Sequence, residues 1–210
     1  MFTRPDFSNY LIHFTKGKAP VSKETDNLVG SIKGTTAEER LLSILKLKTI
    51  YASQMPWVGK CTAVCFTECV WSSLFAHAKN YSSFGIGFTK EFIFKQEGNP
   101  VFYVRPTLFK GQEWSKDIKG FTTPFAPKYG GENMDGRCKN PIDYTHEREW
   151  RVLHNLKFEY SDIAFIVLPS SKYLPSIPSV VQKAVGTDNI LFMNNYRKIE
   201  ELWPTHHIYD

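Results

Sequence analysis

Apolar and polar positions along the 210-residue chain alternate in short blocks. Tyr10-Leu11-Ile12-His13-Phe14-Thr15 reads as a first buried strand, and polar, glycine-containing residues 16–35 as a loop or flap. Thr36-Ala37-Glu38-Glu39 has the spacing of a capping box. The helix it opens has an apolar face of Leu41, Leu42, Ile44 and Leu45. Lys48–Ala52 follows as a second short strand or turn, and residues 55–59 as a loop. Thr62–Thr67 and Phe84–Phe88 read as strands, the latter carrying glycines that permit close backbone approach. Between them, residues 70–81 have helical spacing. Pro100–Val104, Glu147–Leu153, Ala164–Leu168 and Ile190–Phe192 complete the strands, with a long Gly-, Pro- and aromatic-rich loop over 111–145 and a polar tail at the end. Many short strands with two or three helices define an α+β fold in one domain spanning 1–210.

Composition narrows the classes of function. The chain carries 26 basic and 21 acidic residues, a net charge of +5, which favours an anionic partner; Lys16, Lys18, Lys23 and Lys33 form the clearest basic cluster. Aromatic residues make up 15% of the chain, enough for a bulky core or a surface that stacks on rings. No apolar run reaches the length of a membrane span and the first residues lack a hydrophobic signal core. With Cys61, Cys65 and Cys69 crowded together and Cys138 far away, a disulfide framework is not expected, and a reducing cytoplasm is the expected setting. The same three thiols fall across a strand-to-helix transition, so a closed metal site is not expected either. Phosphate-loop, dinucleotide, zinc-protease and nucleophile-elbow motifs are absent from the sequence.

Three places could carry chemistry. Strand alternation puts Glu147, Glu149 and Arg151 on one face, where they either pair with one another or line a site. His13 is a histidine between apolar residues: a core residue, or a neutral imidazole holding a ribose hydroxyl beside Phe14 and Thr15. Phe66-Thr67-Glu68 sits at a strand-to-helix junction, where Glu68 either complements the helix dipole or meets a polar ligand.

The order of these pieces resembles the ADP-ribosyltransferase fold. Cys65-Phe66-Thr67-Glu68, Trp71, Phe84–Phe88 and Glu147–Arg151 resemble, more closely, the AbiGi-type abortive-infection proteins of bacteria. The resemblance spans about residues 10–170. It implies a split β-sheet core and a transferase that cleaves NAD, as substrate, at the nicotinamide–ribose bond. His13 would bind a ribose, with Phe14, Thr15, Phe66, Thr67 and Arg151 around the cofactor. Tyr81 or Tyr51 would stack on nicotinamide, Glu149 would stabilise the oxocarbenium ion, and Glu147 would direct the acceptor. Residues 140–146, with Tyr144 and His146, and the junction residue Glu68 would meet that acceptor. The implied setting is a toxin of a phage-defence or toxin–antitoxin system with an antitoxin protein as partner and RNA, DNA or protein as acceptor. Two other readings compete: a non-catalytic nucleic-acid- or antitoxin-binding module, and a metal-independent nuclease using Glu149, His146 and Arg151.

Overall fold

The computed structural model describes residues 8–17, 35–55, 58, 61–68, 78, 81–127 and 142–202. The helix expected over 70–81 lies almost wholly outside them, as do most of the 16–35 flap, Cys69 and Cys138.

The fold is mixed α and β, built on one large sheet. In chain order its strands are β1 (Tyr10–Phe14), β3 (Ser53–Gln54), β4 (Thr62–Thr67), β5 (Gly85–Thr89), β6 (Asn99–Pro100), β9 (Glu149–Val152), β11 (Ile163–Leu168) and β12 (Ile190–Phe192). In space they run β12-β11-β5-β1-β4-β9-β6, with β3 against the start of β4. Among the described residues of this sheet, β11 and β12 pair in parallel and the other pairs are antiparallel. The crossover that a parallel pair requires contains the helix Ser179–Val185, whose Val181 and Val185 are buried in the core. Two small sheets flank the large one: β2 (Thr49–Ile50) with β10 (Leu156–Lys157), and β7 (Phe102–Val104) with β8 (Thr122–Pro124).

Among the described residues the helices are α1 (Ala37–Leu47), α2 (Lys90–Lys95), α3 (Pro106–Lys110), α4 (Lys116–Lys119), α5 (Ser179–Val185) and α6 (Met193–Leu202). The capping box forms as read: the Thr36 hydroxyl accepts from the Glu39 N–H, and the Glu39 carboxylate accepts from the Thr36 N–H at 2.6 Å. Three helices depart from the sequence reading. α2 follows β5 directly, capped by the Thr89 hydroxyl on the Phe92 N–H. α5 falls in a stretch for which the sequence pattern predicts no element, and α6 in the expected polar tail. The expected strand over Pro100–Val104 divides into β6 and β7, which belong to different sheets.

Strand parity sorts side chains onto two faces. Leu11, Val64, Phe66, Ile86, Phe88, Val152, Ile166 and Leu168 meet α1, α5 and Phe158 in the main core. The opposite face carries two smaller clusters. One is Ile12, Phe14, Val167 and Met193; the other is Met55, Val58 and Ala63, with Cys65 and Leu153 against it.

Gly87 makes a tight crossing possible on this second face. A Cβ there would lie 2.4 Å from the Phe165 ring, which covers it. Gly87→Ala is therefore expected to cost about 1–3 kcal/mol of stability as an overpacking change. Denaturant melts should show part of that loss recovered by Phe165→Leu in the double variant.

The two halves of the large sheet meet narrowly. β1 registers with β5 over five residue pairs but with β4 only at Ile12↔Thr67. The His13 side chain spans the gap just beyond this pair, its Nδ1 lying 2.9 Å from the Cys65 carbonyl.

Candidate functional site

The site grows from the ladder between β4 and β9, where Thr67 faces Glu149 and Cys65 faces Arg151. Opposed residues share a face, so these four side chains project together. Arg151 is fully buried. Its Nε–H donates to Glu149 Oε1 at 2.8 Å and its Nη2 to Glu149 Oε2 at 2.9 Å. Nη1 donates to the Gly120 and Thr122 carbonyls at 2.9 and 2.8 Å, and Nη2 also to Thr123 Oγ1 at 2.6 Å. A guanidinium has five N–H donors, and these contacts use all of them. Burial alone would lower the Arg151 pKa; the paired Glu149 carboxylate outweighs it and holds the guanidinium above its usual value. The segment between β6 and β9 is thereby tied to β9 through one side chain, and Glu149 is fixed in a fork geometry.

Glu147 enters differently from the sequence reading. The strand begins at Glu149; Thr145–Glu147 is a 3-10 turn that ends on Arg148 at φ 44°. The left-handed residue redirects the chain between the two acids. Glu147 still stays within electrostatic reach of Glu149: partial burial, then the Glu149 charge, raise its pKa above the ordinary carboxylate value. The Tyr81 hydroxyl donates to Glu147 Oε1 at 3.4 Å, and the Lys16 ammonium lies 5.8 Å from the centre of the Tyr81 ring.

Tyr103, which the sequence did not single out, closes the other side. Its hydroxyl accepts the Glu149 N–H at 3.2 Å and donates to the Tyr144 carbonyl at 3.0 Å. Burial raises the pKa of both Tyr81 and Tyr103, so each remains a neutral donor. The Cys65 thiol beside Glu149 is also pushed up, first by burial and then by the Glu149 charge. That removes thiolate character and makes cysteine nucleophilic chemistry unfavourable here.

The remaining sequence candidates are distributed elsewhere. Because Ile12 pairs with Thr67 and Thr67 with Glu149, His13 stands on the other face, beside Phe66 at 5.9 Å between ring centres. The structure does not bring His13 to Glu149. The Cys65 carbonyl can only accept, so Nδ1 carries the proton. Thr15 is buried, its hydroxyl donating to the Ala37 carbonyl at 2.8 Å. Phe14 and Phe66 are core residues. Tyr51 lies between β2 and β3, at the end of β4 away from Thr67. Glu68 is buried and committed: Lys90 Nζ is 2.9 Å from Oε2, and Oε1 accepts the Ser8 N–H at 3.1 Å. Arg148 lies 3.7 Å from Oε1. That network accounts for Glu68 without a substrate. Tyr144 and His146 are exposed on the turn before Glu149. Among the described residues, no group of three His, Cys, Asp or Glu side chains could hold a metal ion, and no helix is long and apolar enough to cross a membrane.

Burial holds the His13 pKa below its ordinary 6.5, against the opposing pull of the Cys65 carbonyl. Between the folded and unfolded values the unfolded chain binds more protons, so stability falls as pH drops through 6.5 towards the lower folded value. Urea melts across that window should show a steeper loss of stability for the wild type than for His13→Gln.

These features define an α+β protein with an arginine-clamped carboxylate on one sheet face and a second acid and two tyrosines close to it. Residues 45–121 match the family described as "Putative abortive phage resistance protein AbiGi, antitoxin". The match runs from the end of α1 to the residue before β8, so the chain is similar to that family over this stretch. His13, Glu147, Glu149 and Arg151 lie outside the matched stretch. No curated protein and no solved structure matches the chain.

Proposed function

We propose that this chain acts in a phage-defence toxin–antitoxin system as an ADP-ribosyltransferase consuming NAD, with Glu149 at its centre. The observation that carries the reading is the Arg151 clamp. A buried guanidinium spends two of its five donors holding one carboxylate, beside a second carboxylate whose pKa is raised. Two acids in unlike environments are the pattern expected where glycosidic bonds are broken.

In this reading Glu149 accepts the hydrogen bond of the nicotinamide-ribose 2′-hydroxyl. Its negative charge faces the positive charge that develops on the ribose as the bond from C1′ to the nicotinamide nitrogen breaks. The electron pair leaves with nicotinamide. A new bond forms from C1′ to the acceptor atom, and the acceptor's proton passes to Glu147, whose raised pKa makes it the better base. Tyr81 offers the ring for nicotinamide and Lys16 a cation for the pyrophosphate. His13 serves the sheet rather than the substrate in this scheme. The acceptor is a macromolecule, with RNA, DNA and protein as the candidates.

The antitoxin named in the family description favours a second reading, a non-catalytic module that binds its partner. Calorimetric titration with NAD and an assay of nicotinamide release separate the two. Binding heat and release by the wild type support the transferase; neither signal at millimolar-scale NAD supports the module. RNA cleavage without NAD would point instead to a nuclease.

A further inference from the structure

Tyr103, whose hydroxyl accepts the Glu149 N–H, also lines an open groove of about 740 Å³. Its walls come from β7, α3 and α4, and include Phe102, Val104, Leu108, Trp114, Ile118 and Phe125. Three of these apolar side chains face solvent to a degree unusual for their type: Phe102 is 49% exposed, Leu108 55% and Ile118 47%. Scattered exposed hydrophobic residues are ordinary, but a cluster in one concavity marks a surface that meets something. The charge around it is uneven. Arg105 stands in the wall and Lys116 and Lys119 belong to α4, which contributes Ile118 to it, against Glu113 and Asp117.

We propose that this groove is the docking site for a segment of a partner protein that carries aliphatic or aromatic anchors flanked by Asp and Glu. Anchors of that kind fill a concave apolar surface, and acidic flanks complement the surrounding cations. A single strand of nucleic acid fits less well. It needs open ring faces along a basic track, whereas Val101, Val104, Leu108 and Ile118 make much of this lining aliphatic. Trp114 is already stacked on Phe109, at 5.6 Å between centres, and its Nε1–H is spent on the Phe109 carbonyl at 2.8 Å. The groove is also joined to the carboxylates. Tyr103 lines it while its hydroxyl accepts the Glu149 N–H, and Ile118 stands just before the Gly120–Thr123 stretch that Arg151 holds. An occupant would therefore sit against the two supports of Glu149. The proposal stands whether or not the site turns over NAD.

The test is selection from a random-peptide display library on the full chain, with binding of the enriched synthetic peptides measured by fluorescence anisotropy. Enriched sequences should pair Leu, Ile, Phe or Trp with Asp or Glu. Their affinity should fall roughly tenfold or more with Leu108→Asp, and again with Ile118→Asp, the scale of losing one interface anchor. Val180→Asp, at another exposed apolar position, should leave it unchanged. Both groove positions are half exposed, so the variants are expected to melt like wild type; Lys116→Glu, which should weaken the peptides in a salt-dependent way, gives an independent check. No enrichment, affinity indifferent to these substitutions, or displacement of the peptides by labelled oligouridylate or oligothymidylate would overturn the assignment.

Discussion

Arg151→Met should destabilise the protein by about 3–5 kcal/mol, the cost of breaking a buried ion pair from one side. The variant leaves Glu149 without its counter-charge and strips donors from the Gly120 and Thr122 carbonyls and the Thr123 hydroxyl. Arg151→Lys should recover little of this, because an ammonium has three donors and cannot form the fork on Glu149 while reaching three further acceptors. Chemical denaturation monitored by far-UV circular dichroism measures both. The double variant Arg151→Met with Glu149→Leu should be less damaged than Arg151→Met alone, since removing both charges removes the unpaired one. A loss below 1 kcal/mol for Arg151→Met would mean that the pair is not desolvated in solution.

The second large effect concerns Glu149 itself. In the proposed reaction, Glu149→Gln should lower the rate of nicotinamide release by about a hundredfold to a thousandfold, the scale of losing one preorganised electrostatic contact. The amide keeps the shape and one acceptor oxygen but turns an N–H donor towards the Arg151 guanidinium, so some stability is lost as well. The rate must therefore be read at a temperature where melts show the variant folded. Glu147→Gln should behave differently. Its carboxylate is not clamped, so its loss should fall on transfer to the acceptor more than on bond cleavage.

Much of the scaffold was legible because it depends on local rules. Thr36 and Glu39 announce α1 by their spacing, and Thr62–Thr67 and Ile163–Leu168 announce strands by β-branched and aromatic content. That Glu149 and Arg151 share a face follows from period-2 alternation alone. What escaped has particular causes. α2 spans six residues, Lys90–Lys95, with three aromatic or β-branched positions, too short for a helical period to show. α5 is rich in valine, and α6 is polar enough to look like a tail. Alternation places Glu147 in the strand because nothing in the sequence reveals that Arg148 adopts a left-handed conformation.

The site was half legible for a deeper reason. Whether His13 and Glu149 share a face depends on the register Ile12↔Thr67, and a shift by one residue exchanges the faces. Sequence alternation within each strand is silent about that pairing between strands. The contacts that anchor Arg151 lie about thirty residues earlier in the chain, and Tyr103 reaches Glu149 across 46 positions. Such partners are set by topology, after the strands have paired.

The most direct measurement is transfer of labelled ADP-ribose from NAD to RNA, DNA or protein, comparing the wild type with Glu149→Gln at matched folded fractions. Labelling by the wild type that is nearly abolished in the variant is the expected result. Equal labelling by both, or none by either with no nicotinamide released, would contradict a reaction centred on Glu149.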